Sequence, residues 1–120
     1  MFGLFAGNRI ERIDPVEAVT GAREGTVTVI DVREIGEVAA TGKAEGAKHI
    51  PMMLLRSKCD PSHPEFDRAL DPDKTVVLYC ATGARSSSAG QMLCRMGFKD
   101  VRNLGGLRDW VRGGGATERA

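Results

Sequence analysis

The run Val76-Val77-Leu78-Tyr79-Cys80-Ala81-Thr82-Gly83-Ala84-Arg85-Ser86 constrains this chain more than any other segment. A short apolar, β-rich stretch predicts a buried strand. It ends on a thiol; a small loop with one glycine follows, and three serines then open a helical pattern. The implied geometry is a strand that delivers Cys80 to backbone N–H groups at a helix N-terminus. Those groups lack intrahelical partners and the helix dipole is positive there, so the place favours negative charge. A thiol held there ionises more readily, and the thiolate is the nucleophile. Cys80 is therefore a candidate catalytic cysteine, against the plainer alternative of a packed core cysteine.

The flanks alternate helix and strand signals. Asp14 with Pro15 and Glu17 predicts a capped helix over 15–23, ended by Gly25. A β-rich run over 26–31 ends on Asp31, a short helix over 34–40 stops at Gly42, and a strand over 48–50 is halted by Pro51. Residues 52–56 suit one or two helical turns. The proline-bearing stretch 59–72 reads as a connection with one helical turn near 65–69. After the strand over 75–79, the helix over 86–96 carries a stripe of Ala89, Met92, Leu93 and Met96, and Gly97 stops it. A last strand over 101–104 leads into a helix around Trp110. The alternation predicts an α/β fold with a largely parallel sheet. Sites in such sheets lie at the carboxyl ends of strands, where Asp31 and Cys80 both fall. The chain divides into an N-terminal arm over 1–8, either loose or pairing at an edge, one domain over 9–112 and a flexible tail over 113–120.

Charge and cysteine usage exclude several classes. Acidic and basic residues nearly cancel, at net charge +1, and the arginines form no stripe with interleaved aromatics, so a nucleic-acid surface is not indicated. No segment approaches the length of a membrane span. Three cysteines without a CxxC pair or a secretory signal point to a reducing, cytoplasmic setting and a free thiol. Cys59 and His63 are four apart, but Pro61 and Pro64 keep them off one helix face, so no metal site is expected.

Taken together, these pieces resemble a single-domain rhodanese, the thiosulfate sulfurtransferase-like family. Asp31-Val32-Arg33-Glu34, then Gly42 with Gly46-Ala47-Lys48-His49-Ile50-Pro51, then Tyr79-Cys80 and its loop, then Asn103-Leu104-Gly105-Gly106 ahead of Trp110 follow the family's order. The resemblance implies a five-stranded, largely parallel sheet with helices on both faces. It also implies transfer of a sulfane sulfur, from thiosulfate or a persulfide donor to a thiol or cyanide, through a Cys80 persulfide. The loop residues Ala81, Thr82, Gly83, Ala84, Arg85 and Ser86 would hold that sulfur, with Arg85 attracting an anionic donor and Asp31 and Arg33 bracing the loop. No metal or organic cofactor is implied, and the partners are a small sulfur donor, a thiol acceptor or a protein-borne persulfide.

Loop length separates two chemistries on this fold. Cysteine phosphatases resembling rhodaneses carry Cys-x5-Arg, wide enough for phosphate, whereas Arg85 makes Cys-x4-Arg here. A phosphatase or arsenate reductase is thus an alternative with the wrong loop, and a non-catalytic interaction module would have no use for the thiol. Many family members carry a basic or bulky residue directly after the cysteine. Ala81 leaves Arg85 as the loop's one formal charge, which favours a persulfide over thiosulfate as donor. Cys59, flanked by Arg56 and Lys58, is the better candidate for a resolving thiol, since Cys94 sits about 12 Å along its helix from the loop.

Overall fold

The computed structural model describes residues 10–119, so the arm expected over 1–8 lies outside them. In chain order the elements are β1 (Glu11–Arg12), α1 (Pro15–Glu24), β2 (Val27–Asp31), α2 (Ile35–Thr41), β3 (Lys43–Ala44) and β4 (Lys48–His49). A 3-10 turn (Met52–Leu54) then leads to α3 (Leu55–Cys59), β5 (Thr75–Cys80), α4 (Ala84–Arg95), β6 (Val101–Gly106), α5 (Leu107–Arg112) and β7 (Thr117–Glu118). No helix among the described residues is long and apolar enough to cross a membrane.

Five strands form one sheet in the order β1-β6-β5-β2-β4, and every pairing in it is parallel. The central strand β5 is buried on both sides because its side chains alternate between two cores. Val76, Leu78 and Cys80 join Leu55, Cys59, Leu93 and Phe98 on one face. Val77 and Tyr79 join Val19, Leu104 and Trp110 on the other. The period of two thus sends Cys80 to the face that α4 covers.

Local chemistry accounts for the element ends. Asp14 accepts hydrogen bonds from the N–H groups of Val16 and Glu17 and caps α1, and Gly25 closes it at φ 78°. The helical turn expected near 65–69 is absent. Asp60, Asp67 and Asp71 each accept from the N–H two residues on, so the connection closes as successive tight turns.

One expectation is extended and another corrected. Ala89 and Leu93 of the α4 stripe are buried and Met92 and Met96 pack half-buried against the same core, while Ser86 and Gly90 are buried there as well. A small residue is required at Gly90 by the chain just ahead of β1, since a Cβ there would come within 2.9 Å of Ile10. The flexible tail expected over 113–120 is, across 113–119, a returning segment. Trp110 donates through its indole to the Ala116 carbonyl at 2.6 Å, and β7 pairs antiparallel with β3, helped by a Lys43–Glu118 ion pair.

Candidate active site

Strand β5 ends on Cys80, and the chain then turns through Ala81 and Thr82 to Gly83, the residue before α4. Gly83 has φ 104°, a region that side chains disfavour, and this conformation directs its N–H at Cys80 Sγ, 3.1 Å away. Beside the loop, β6 carries one extra residue: Leu78 pairs with Asn103 but Tyr79 with Gly105. That bulge brings Gly106 opposite Cys80, and a Cβ there would collide with the Ala81 carbonyl. The glycine pair ahead of α5 is therefore a condition for the loop's path.

The electrostatics of the thiol follow from these donors. Cys80 is 1% exposed, and burial alone would push its thiol up. The Ser86 hydroxyl and the N–H groups of Ser86, Gly83 and Thr82 outweigh burial and bring it down to about 7. Three of the expected loop N–H groups thus act on the sulfur. Behind them, Asn103 locks the loop: its amide donates to the Gly83 carbonyl at 2.9 Å and accepts from the Ser86 hydroxyl at 2.8 Å and the Gly105 N–H at 3.0 Å.

Arg85 has a partner that its sequence position did not reveal. Its guanidinium forks onto Glu37 of α2, with Nη1–Oε1 at 2.6 Å and Nη2–Oε2 at 2.8 Å. The Arg85 guanidinium, followed by the Glu34 N–H, holds the Glu37 carboxyl at about 2. The loop's formal positive charge is thus shared: Glu37 takes the fork, and the Cys80 thiolate also acts on the same guanidinium.

Asp31 and Arg33 form a buried bidentate pair, Nη2–Oδ2 at 2.7 Å. Arg33 also donates to Thr41 Oγ1 and the Gly42 carbonyl, tying β2 to the far end of α2. Its carbonyl contacts His49 Nε2 at 2.7 Å. Tyr79, under the Arg33 guanidinium, takes the Ala44 N–H on its hydroxyl.

A cleft of about 700 Å³ adjoins the loop. Cys80, Ala81 and Thr82 belong to its lining, with Arg33 and Thr41 from the β2–α2 region and Leu107, Arg108, Asp109, Val111 and Arg112 from α5. The α5 residues were not anticipated as part of the site, since nothing in sequence ties them to a loop more than twenty positions away. Cys59 does not share the cleft. It is wholly buried, and burial followed by Asp67 raises its thiol to about 12, which removes it as a resolving thiol. Cys94 is also raised by burial.

Comparisons with known proteins agree with this architecture. The family model for the rhodanese-like domain matches residues 14–112. The chain is 34% identical over 104 residues to the thiosulfate sulfurtransferase GlpE of Pseudomonas fluorescens, covering 86% of each chain. A Rhodopseudomonas palustris protein of unknown function, described as a possible tyrosine phosphatase, superposes with a TM-score of 0.79 at 31% identity, covering 91% of this chain and 85% of that one. The polysulfide-sulfur transferase homodimer of Wolinella succinogenes gives a TM-score of 0.67 at 33% identity, with 92% and 80% covered.

Proposed function

Because the chain belongs to the rhodanese-like domain family, we propose that it is a sulfurtransferase carrying a sulfane sulfur on Cys80. The observation that carries this reading is a buried thiol brought to about 7 by converging N–H donors beside an open cleft. At neutral pH about half of such thiols are ionised, and the thiolate is the attacking species.

With thiosulfate as donor, Cys80 Sγ attacks the outer sulfur. The new Sγ–S bond forms as the sulfur–sulfur bond of thiosulfate breaks, its electron pair leaving with sulfite. Three negative charges enter the step, and three leave it as the persulfide anion and the sulfite dianion. The N–H groups that hold the thiolate then face the anionic terminal sulfur. A thiolate acceptor, or cyanide, attacks that sulfur and takes it with the Sγ–S electron pair returning to Cys80. This is covalent, ping-pong catalysis, and a small-molecule or protein-borne persulfide loads the cysteine by the same exchange.

The phosphatase description of the R. palustris relative invites a second reading, but the geometry here argues against it. The loop is Cys-x4-Arg, one residue shorter than the ring that holds a phosphate, and Glu37 takes one N–H from each terminal nitrogen of Arg85. The reading is tested by incubating the protein with thiosulfate and cyanide. Thiocyanate should form, and Cys80→Ser should abolish it. Mass spectrometry after thiosulfate alone should show one added sulfur on the peptide bearing Cys80. Turnover in the Cys80→Ser variant, or efficient hydrolysis of aryl phosphates or reduction of arsenate by the wild type, would sink the assignment.

A further inference from the structure

The sulfur donors considered above are anions, yet the loop's own cation and two of the three arginines lining the cleft are already committed. Arg85 forks onto Glu37. Arg33, which lines the cleft, is engaged by Asp31, Thr41 and the Gly42 carbonyl. Arg112 pairs with Asp109 at 3.3 Å. The third arginine lining the cleft is different. Arg108 is exposed on α5, lines the same cleft as Cys80, and has no hydrogen-bond or ion-pair partner among the described residues. The one carboxylate on that wall, Asp109, is taken up by Arg112 and the Gly106 N–H.

We propose that Arg108 is the anion-recognition residue of the cleft, holding the oxyanion head of a doubly charged donor such as thiosulfate while its outer sulfur meets Cys80. Charge flows onto the sulfite oxygens as the sulfur–sulfur bond breaks, so the guanidinium acts on the transition state as well as on binding. It adds to Arg85, whose fork is held by Glu37, in offsetting the repulsion between a thiolate and a dianion. Specificity for anionic donors then resides on α5 as well as in the loop. The donor named here rests on the sulfur-transfer reading; the anion site itself does not.

The test uses two probes of Cys80 that differ in charge, iodoacetate and neutral iodoacetamide, with the labelled peptide read by mass spectrometry. Arg108→Ala should lower the iodoacetate-to-iodoacetamide rate ratio about three- to fivefold, and Arg108→Glu about tenfold, as expected for an exposed charge. The iodoacetamide rate should stay unchanged, Arg108→Lys should restore the ratio, and the effect should fade at about 0.5 M salt. In the thiosulfate assay the same variants should lower kcat/KM in parallel. An unchanged ratio in both the Ala and Glu variants overturns the anion site, whatever thiosulfate does. Equal loss with both probes overturns it too, since that outcome marks a general effect on the thiol. If the ratio falls but the wild type never acquires sulfur from thiosulfate, the anion site stands, while the donor assignment falls with the sulfur-transfer reading.

Discussion

Cys80 and Cys59 lie in one buried cluster, at 1% and 0% exposure, and their thiols move in opposite directions, to about 7 and about 12. Burial is therefore not what makes a cysteine reactive in this fold, because burial raises both. The difference lies in backbone direction. Cys59 ends the helix α3, and Asp67 adds a like charge against its ionisation. Cys80 ends a strand and faces the N–H groups of a turn and a helix start. The same side chain serves as packing in one place and as a candidate nucleophile a short distance along the core.

The change that should disturb this contrast most is Gly83→Ala. A side chain at φ 104° is strained at a cost of about 1–3 kcal/mol. Relieving that strain turns the Gly83 N–H away from Sγ. The alkylation midpoint of Cys80 should climb from about 7 toward the ordinary thiol value. Sulfur transfer at pH 7 should fall more than about tenfold, following the lost thiolate fraction. Alkylation rates against pH measure it, and an unmoved midpoint would show that the N–H direction does not set the thiol.

Stability against pH separates the two thiols next. The folded pKa of Cys80, about 7, lies below the ordinary thiol value of 9.0. Its stabilising contribution is therefore complete above pH 9 and disappears as pH falls through 7. Comparison of wild type with Cys80→Ser between pH 7 and 9 should reveal a difference that grows by about 2–3 kcal/mol. Cys59 has the opposite sign. Its folded pKa, about 12, exceeds 9.0, so stability drains above pH 9 as the unfolded thiol ionises, at about 1.4 kcal/mol per pH unit. Cys59→Ala should remove that loss and leave sulfur transfer intact. Urea unfolding across this range reads both, and parallel curves for the two variants would dissolve the distinction.

A smaller effect is expected where a formal charge, and not a backbone dipole, is changed. Glu37→Gln keeps an oxygen for the Glu34 N–H but releases Arg85 from its fork. The freed charge should lower the Cys80 midpoint by about 0.5 unit. It should also lower the KM for thiosulfate about twofold, since both partners are part-exposed and screened. A rise in KM would instead give the ion pair a role in shaping the cleft.

How much of this was legible in the residues depends on the range of the interaction. The strand and loop around Cys80 were readable because β-branched residues, one glycine and a run of serines are local signals. So was the parallel sheet, from strands alternating with helices. Arg85 and Glu37 are 48 positions apart, and only the packing of α2 beside the loop joins them. Apolarity marks Ala89, Met92, Leu93 and Met96 on α4 but cannot mark Gly90 and Ser86, buried on the same helix by the approach of Ile10 and the bond to Asn103. Three glycines near the end suggested fraying. Instead the segment turns under Trp110 and pairs with β3, a contact that no pattern of period two or 3.6 announces.

The least perturbing test concerns the one proton of the Ser86 hydroxyl. The Asn103 amide is oriented by the Gly83 carbonyl and the Gly105 N–H, so its oxygen faces Ser86 and can only accept. While Cys80 is a thiol, Ser86 donates to Asn103 and takes the S–H on its own oxygen, 3.4 Å away. When Cys80 ionises, the hydroxyl must turn to the sulfur and surrender its bond to Asn103. The net gain is a charged hydrogen bond less a neutral one, smaller than the 1.5–3 kcal/mol typical of a bond to a charge. Ser86→Ala should therefore raise the Cys80 midpoint by only about 0.5 unit, well below the effect of Gly83→Ala. A rise of about two units would mean that the hydroxyl, and not the backbone, distinguishes Cys80 from Cys59.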